Sequence, residues 1–158
     1  MRIAGLVVTS ALLAACQASA PPAPAVPSEA DLAMAGAILD TMAAAIERHD
    51  GTLMASVYAA RPSAAAIAQG EAARGPDAIR ARYAPWDTAS AWTGRVVWGD
   101  RRLEPLGPDA ILATATFTWS QEGPDGKRVE TPGAVWTGVL VREGTRWALL
   151  HEHESFKR

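Results

Sequence analysis

The chain has 158 residues and 16.6 kDa, with 15 basic against 17 acidic side chains, one Cys, six Trp and 11 Pro. That length suits one domain with a real core rather than two. A formal charge of −2 and a pI near 5.9 argue against electrostatic capture of nucleic acid, which needs a basic face. One Cys excludes an intramolecular disulfide framework, and the absence of CxxC and HExxH patterns removes the commonest zinc motifs.

Arg2 is the only charge before Glu29, and an apolar run from Ile3 to Leu13 follows it. A positive start, an apolar stretch of about ten residues and small residues before a cut describe a secretory signal peptide, too short to span a membrane. The ending Leu13-Ala14-Ala15-Cys16 resembles the lipobox of bacterial lipoproteins. The resemblance implies that residues 1–15 are a lipoprotein signal peptide and that Cys16 is diacylated and becomes the mature N-terminus. Its acyl chains would anchor the protein stably where one chain would not. The alternative is an ordinary signal peptide with an incidental Cys. Gln17, being other than Asp, implies sorting to the outer membrane, on its periplasmic face. Residues 17–27 (QASAPPAPAVP) carry four prolines and no apolar period. They read as an extended tether of roughly 30 Å at about 3.1 Å per residue, leaving residues 28–158 as the folded domain.

Ser28 precedes Glu29 and Asp31 and reads as a helix cap with acids in the first turn. Leu32, Ala35, Leu39, Met42 and Ile46 recur every three or four residues, predicting one apolar stripe on a helix of about 20 residues that ends near Arg48-His49. Asp50 can cap a second short helix through Leu53, Met54, Val57 and Tyr58, closed by Pro62. Gly75-Pro76-Asp77 opens a third, reaching Tyr83 before Pro85. From Thr93 the period becomes 2. A first strand runs to Glu104, and Gly107-Pro108-Asp109 turns it. A second strand alternates Ile111, Ala113, Ala115, Phe117 and Trp119 with Thr114, Thr116 and Thr118. Gly123-Pro124-Asp125-Gly126 is a further turn. The third strand, Val129 to Arg142, carries a bulge or bend signal at Pro132-Gly133. The last strand runs from Trp147 to Phe156. Helices followed by antiparallel hairpins describe an α+β layer fold.

The stretch VLVREGTRWALLHEHES (Val139 to Ser155) resembles the ending of SnoaL-like proteins of the nuclear transport factor 2-like superfamily. Gly75-Pro76-Asp77-Ala78-Ile79-Arg80 resembles the G-x-x-A-I-R that opens their third helix. The resemblance covers about residues 30–156 and implies a cone-shaped, cystatin-like open barrel, with N-terminal helices packed on a curved antiparallel sheet around a pocket. It also implies pairing of the outer sheet face with a second copy, hence a homodimer. The superfamily includes ketosteroid isomerase, epoxide hydrolase, cyclases and dehydratases, and members with no catalytic role. In the isomerases a carboxylate base stands on the strand after the second helix. Here no acid lies between Tyr58 and Glu71, which argues against isomerase-type chemistry.

His151 and His153 lie two apart on the last strand, so strict alternation puts them on one face with Trp147, Leu149 and Ser155. They are candidates for catalytic acid/base work or ligand contact. A metal would want a third ligand, and the remaining His is the distant His49; structural hydrogen bonding is the other reading. Glu152 and Glu154 share the opposite face with Leu150 and Phe156, where acids are usually solvated, although paired carboxylates can do acid/base work. Trp98, Trp119 and Trp136 read as core or as pocket wall, and Tyr58, like Tyr83, offers a hydroxyl to a ligand or to the interior. The expected function is binding of a small, largely apolar molecule by Tyr58, Trp98, Trp119, Trp136, His151 and His153, with no cofactor, no metal and no nucleic acid. The alternatives are a lyase, isomerase or hydrolase using a His, and an envelope assembly module without catalysis.

Replacing Cys16 tests the anchoring directly. Full-length protein should sediment with membranes, whereas Cys16→Ala should be released to the soluble fraction with altered gel mobility.

Overall fold

The computed structural model describes residues 25–88 and 93–156. The expected signal peptide, Cys16 and most of the expected tether lie outside the described residues. Helix α1 (Glu29–Arg48) begins as its sequence dictates. Ser28 Oγ accepts the amide of Asp31 at 3.2 Å, and the Asp31 carboxylate accepts the amide of Ser28 at 3.0 Å, a reciprocal cap. His49 ends the helix in the left-handed region at φ 54°. The stripe buries Ala35, Leu39, Met42 and Ile46 as expected, joined by Ile38 and Ala45.

The same Asp31 also accepts from Arg142 Nη1 at 2.8 Å and Trp147 Nε1 at 3.1 Å. One carboxylate thus caps the helix and ties its start to the sheet. These donors hold the Asp31 carboxyl well below the usual carboxylate range.

Helix α2 (Gly51–Ser56) is capped by Asp50, whose carboxylate accepts from Leu53 N at 2.7 Å. Strands β1 (Ala65–Ala68) and β2 (Glu71–Arg74) then form a hairpin that sequence periodicity does not predict. Ala is depleted in strands, so this segment carries no strand signal of its own. It is recruited by parallel pairing of β1 with the last strand. Helix α3 (Gly75–Tyr83) opens with Pro76 in its first turn, and a 3₁₀ turn (Ala84–Asp87) follows.

Four long strands complete the molecule: β3 (Thr93–Gly107), β4 (Ala110–Glu122), β5 (Arg128–Glu143) and β6 (Arg146–Ser155). The sheet order is β2-β1-β6-β5-β4-β3, antiparallel except for β1 with β6, and the sheet is not closed. This is the expected α+β cone. β4 alternates as its sequence requires, with Ile111, Ala113, Ala115 and Phe117 buried against α1. The bulge signal in β5 is realised, because the register slips where Pro132 and Gly133 oppose Thr118. A similar slip follows Trp98 in β3. Such extra residues bend and twist the strands and let the sheet wrap around α1. No helix among the described residues is long and apolar enough to cross a membrane.

A third slip has the largest consequence. Val139 pairs with His151, but the next residue of β5, Leu140, pairs with Leu149, so Leu150 has no counterpart. Trp147 and Leu149 point into the core before this bulge, and Glu152 and Glu154 point inward after it. Strict alternation from Trp147 to Ser155 is therefore corrected: His151 and His153 do not share the inner face of Trp147 and Leu149.

Gly138 lies on the inner face of β5, and a side chain there would overlap the indole of Trp136 and approach Leu149 Cδ1 to 2.9 Å. Gly138→Ala should therefore destabilise the fold by about 1–3 kcal/mol through overpacking. Gly107→Ala, where a methyl meets nothing within 4 Å, is the control. Urea unfolding of both variants measures the difference.

Candidate functional site

A cavity of about 380 Å³ lies between the helices and the inner face of the sheet. Met42 and Ile46 from α1, Met54 from α2 and Ala68 from β1 form its apolar wall, and Tyr83, Trp86, Trp119 and Phe156 give it aromatic faces. Glu152 and Glu154 on β6 form its floor, with Gln69, Glu71, Arg82 and Gln121 as its other polar groups.

Each part is positioned by a local feature. Tyr83 and Arg82 end α3, whose first residue, Gly75, donates its amide to Ala64 O at 2.8 Å. Trp86 is carried by the 3₁₀ turn, and Asp87 of that turn accepts Gly51 N at 2.6 Å and Thr52 Oγ1 at 2.9 Å from α2. Gly51 is required there, because a side chain would collide with the backbone of Tyr83. Trp86 then meets the Tyr83 ring edge-on at 5.0 Å.

Glu152 is 1 % exposed. Its Oε1 accepts from Tyr58 Oη in a short hydrogen bond and from Tyr83 Oη at 3.2 Å, and its Oε2 accepts from Trp136 Nε1 at 2.8 Å. The two phenolic oxygens are themselves 3.0 Å apart. Burial pushes the Glu152 carboxyl upward, while the three donors pull the other way by favouring the charged form. Burial and the neighbouring Glu152 charge push both phenols up, so they stay protonated as donors. Arg82 pairs with Glu71 at 3.3 Å and reaches Ala68 O at 3.4 Å, at the edge of the site.

Glu154 is half-buried, and its carboxyl is pushed up to about 7, first by burial and then by the charge of Glu152, with Arg82 opposing. A carboxyl group that changes charge near neutrality in a cavity is equipped to exchange protons with whatever sits there.

Of the candidates read from sequence, Trp119 lines the cavity. Tyr58 and Trp136 stand behind the floor and hold Glu152. Trp98 packs edge-on against Phe117 and Trp136 and donates Nε1 to Leu39 O at 2.8 Å, fixing α1 to β3. His151 and His153 pair with Val139 and Thr137, pointing away from Glu152 and outside the cavity lining. Glu152 and Glu154, expected on a solvated face, are the inward pair; the bulge at Leu150 exchanged the two sets. Where the resemblance places a base on the strand after the second helix, β1 presents Ala66 and Ala68. Trp86 and Arg82 carried no signal in the sequence beyond their residue type. Among the described residues no three His, Cys, Asp or Glu side chains gather as a metal site.

Residues 36–158 match the family model described as a SnoaL-like domain. The chain belongs to the SnoaL-like family. No curated protein matches its sequence. Its fold is similar to that of a candidate dehydratase of the NTF2-like family from Streptomyces avermitilis (TM-score 0.72, 19 % identity, 83 % of this chain and 99 % of that one). It is also similar to a ketosteroid isomerase-like protein from Erwinia carotovora atroseptica (0.68, 14 %, 83 % and 99 %). A protein with a cystatin-like fold from Nostoc punctiforme is a third neighbour (0.63, 13 %, 82 % and 93 %). At these identities the likeness concerns the fold.

The environment of Glu154 makes stability depend on pH. Because its carboxyl is raised from an ordinary 4.5 to about 7, the fold prefers the protonated form. That contribution is full below about pH 4.5 and is lost as pH rises through 7. Glu154→Gln should gain about 1–3 kcal/mol over wild type at about pH 8 and much less at about pH 4.5, read by urea unfolding at both values.

Proposed function

We propose that this chain is a lipid-anchored SnoaL-like protein on the periplasmic face of a bacterial outer membrane, binding a small, largely apolar organic molecule in the mouth of its cone. The cavity between α1 and the inner face of the sheet carries this reading: it combines apolar and aromatic walls with a few converging polar groups. Cys16 and the proline-rich tether support the anchoring. The tether enters α1 at Glu29, whereas Met42 and Ile46 of the cavity lie in its far half, roughly 20 Å along the axis at about 1.5 Å per residue. The mouth can therefore face the aqueous compartment while the start of the domain faces the bilayer.

The outer sheet face supports a homodimer. Cross-strand partners share a face, so Thr118 lies beside exposed Val97, Thr116 beside exposed Val135, and Thr137 beside His153. The histidines then belong to this face rather than to the ligand. A second reading, a lyase, isomerase or hydrolase, is favoured by the carboxyl of Glu154, which titrates near neutrality inside the cavity. In it Glu154, not a His, moves the proton. An assembly module with a filled cone accords less well with an open mouth.

Ala68 tests the binding site because its side chain is small and lines the cavity. Ala68→Phe should weaken binding of a neutral apolar probe, N-phenyl-1-naphthylamine, by roughly tenfold or more while the protein still unfolds cooperatively. Unchanged probe affinity in a folded variant would sink the cavity as the binding site.

A further inference from the structure

Among its described lining residues the proposed ligand site has a charge imbalance: Glu71, Glu152 and Glu154 are the acids and Arg82 is the single cation. Arg82 is spent on Glu71 at 3.3 Å and on Ala68 O, with its guanidinium 6.0 Å from the Tyr83 ring centre. Among the described residues neither Glu152 nor Glu154 takes part in an ion pair. Glu152 is served by neutral donors from Tyr58, Tyr83 and Trp136, and Glu154 faces the cavity beyond them. Trp86, Trp119 and Phe156 line the same cavity as the two carboxylates. Aromatic faces next to an unmatched carboxylate attract one kind of ligand group in particular: a cation drawn to the ring quadrupoles and to the negative charge together.

We infer that the mouth cavity selects an organic cation, a quaternary or protonated amine on an apolar body, with its charged nitrogen seated between the carboxylate of Glu154 and the indoles of Trp86 and Trp119. An anionic ligand would meet two carboxylates and compete with Glu71 for Arg82. A neutral one would leave the carboxylates unmatched in a partly desolvated site. The charged groups around Glu154 set the direction of the pH effect: Glu152 raises its carboxyl, Arg82 lowers it, and the neighbouring Tyr83 stays neutral. Above about pH 7 Glu154 is ionised and attracts the cation. Below it the carboxyl is protonated and the attraction fades. A bound cation stabilises the ionised form, so binding near neutrality expels a proton.

The inference rests on the mouth being a ligand site, and the experiment separates the two claims. Full-length, detergent-solubilised protein is titrated by calorimetry with benzyltrimethylammonium, with its neutral isostere neopentylbenzene and with phenylacetate. At about pH 8 the cation should bind roughly tenfold or more tightly than the isostere, a gap that closes at about pH 5.5. Glu154→Gln should close the same gap at about pH 8 while neopentylbenzene still binds. Equal affinity for cation and isostere, a preference for phenylacetate, or a gap that ignores pH overturns the cation selectivity and leaves the binding site standing. Failure of all three probes to bind overturns the ligand site itself.

Discussion

Leu150 is the residue of β6 without a counterpart in β5, and the change of parity that it imposes governs what the cone encloses. Before it, Trp147 and Leu149 supply core; after it, the inward positions belong to Glu152, Glu154 and Phe156. The bulge is held from both sides. Leu149 exchanges backbone hydrogen bonds with Val57 and Ala59 at 2.8 Å each, and β1 pairs with His151 to His153 just beyond. The same bridge places Tyr58 opposite Leu149, so the phenol that serves Glu152 is delivered by the contact that stabilises the bulge. Bulges next to functional sites commonly re-aim side chains in this way.

Turning a carboxylate into a cone interior is costly unless its oxygens are served. The fold meets this with three neutral donors drawn from three distant segments: the stretch just after α2, the end of α3 and the middle of β5. Trp136 can reach Glu152 because Gly138 leaves room for its indole. None of these donors carries charge, so burial still pushes the Glu152 carboxyl upward, and its charge when ionised raises Glu154 in turn. The two ends of α1 differ accordingly. At the start of α1 Asp31 is held ionised by Arg142, the Ser28 amide and Trp147, and it locks α1 to the sheet. At the cavity end, among the described residues, Glu152 and Glu154 take part in no ion pair, while Glu71 is paired with Arg82.

Much of the architecture was legible because it repeats locally. The α1 stripe, the Ser28 cap, the alternation of β4 and the bend at Pro132-Gly133 each follow from a few neighbouring residues. Strands β1 and β2 were not legible, since an Ala-rich segment has no strand preference and becomes one only beside β6. Of the site, Trp119 could be read as a wall residue, and Tyr58 as a hydroxyl needing a partner. Glu152 and Glu154 were visible as a same-face pair, but not as the inner one. A single bulge with no Gly or Pro in its own strand to announce it reverses every assignment beyond it.

The sequence by itself determined the succession of helices and hairpins, and its motifs resembled those of the SnoaL-like family. The elements depend on periodicity, which acts between near neighbours in the chain. Only the tertiary structure decided that the carboxylates face inward and the histidines outward, and that Tyr58, Tyr83 and Trp136 converge on Glu152. Those outcomes depend on strand register and on burial, and both come into being only when segments far apart in sequence are packed together.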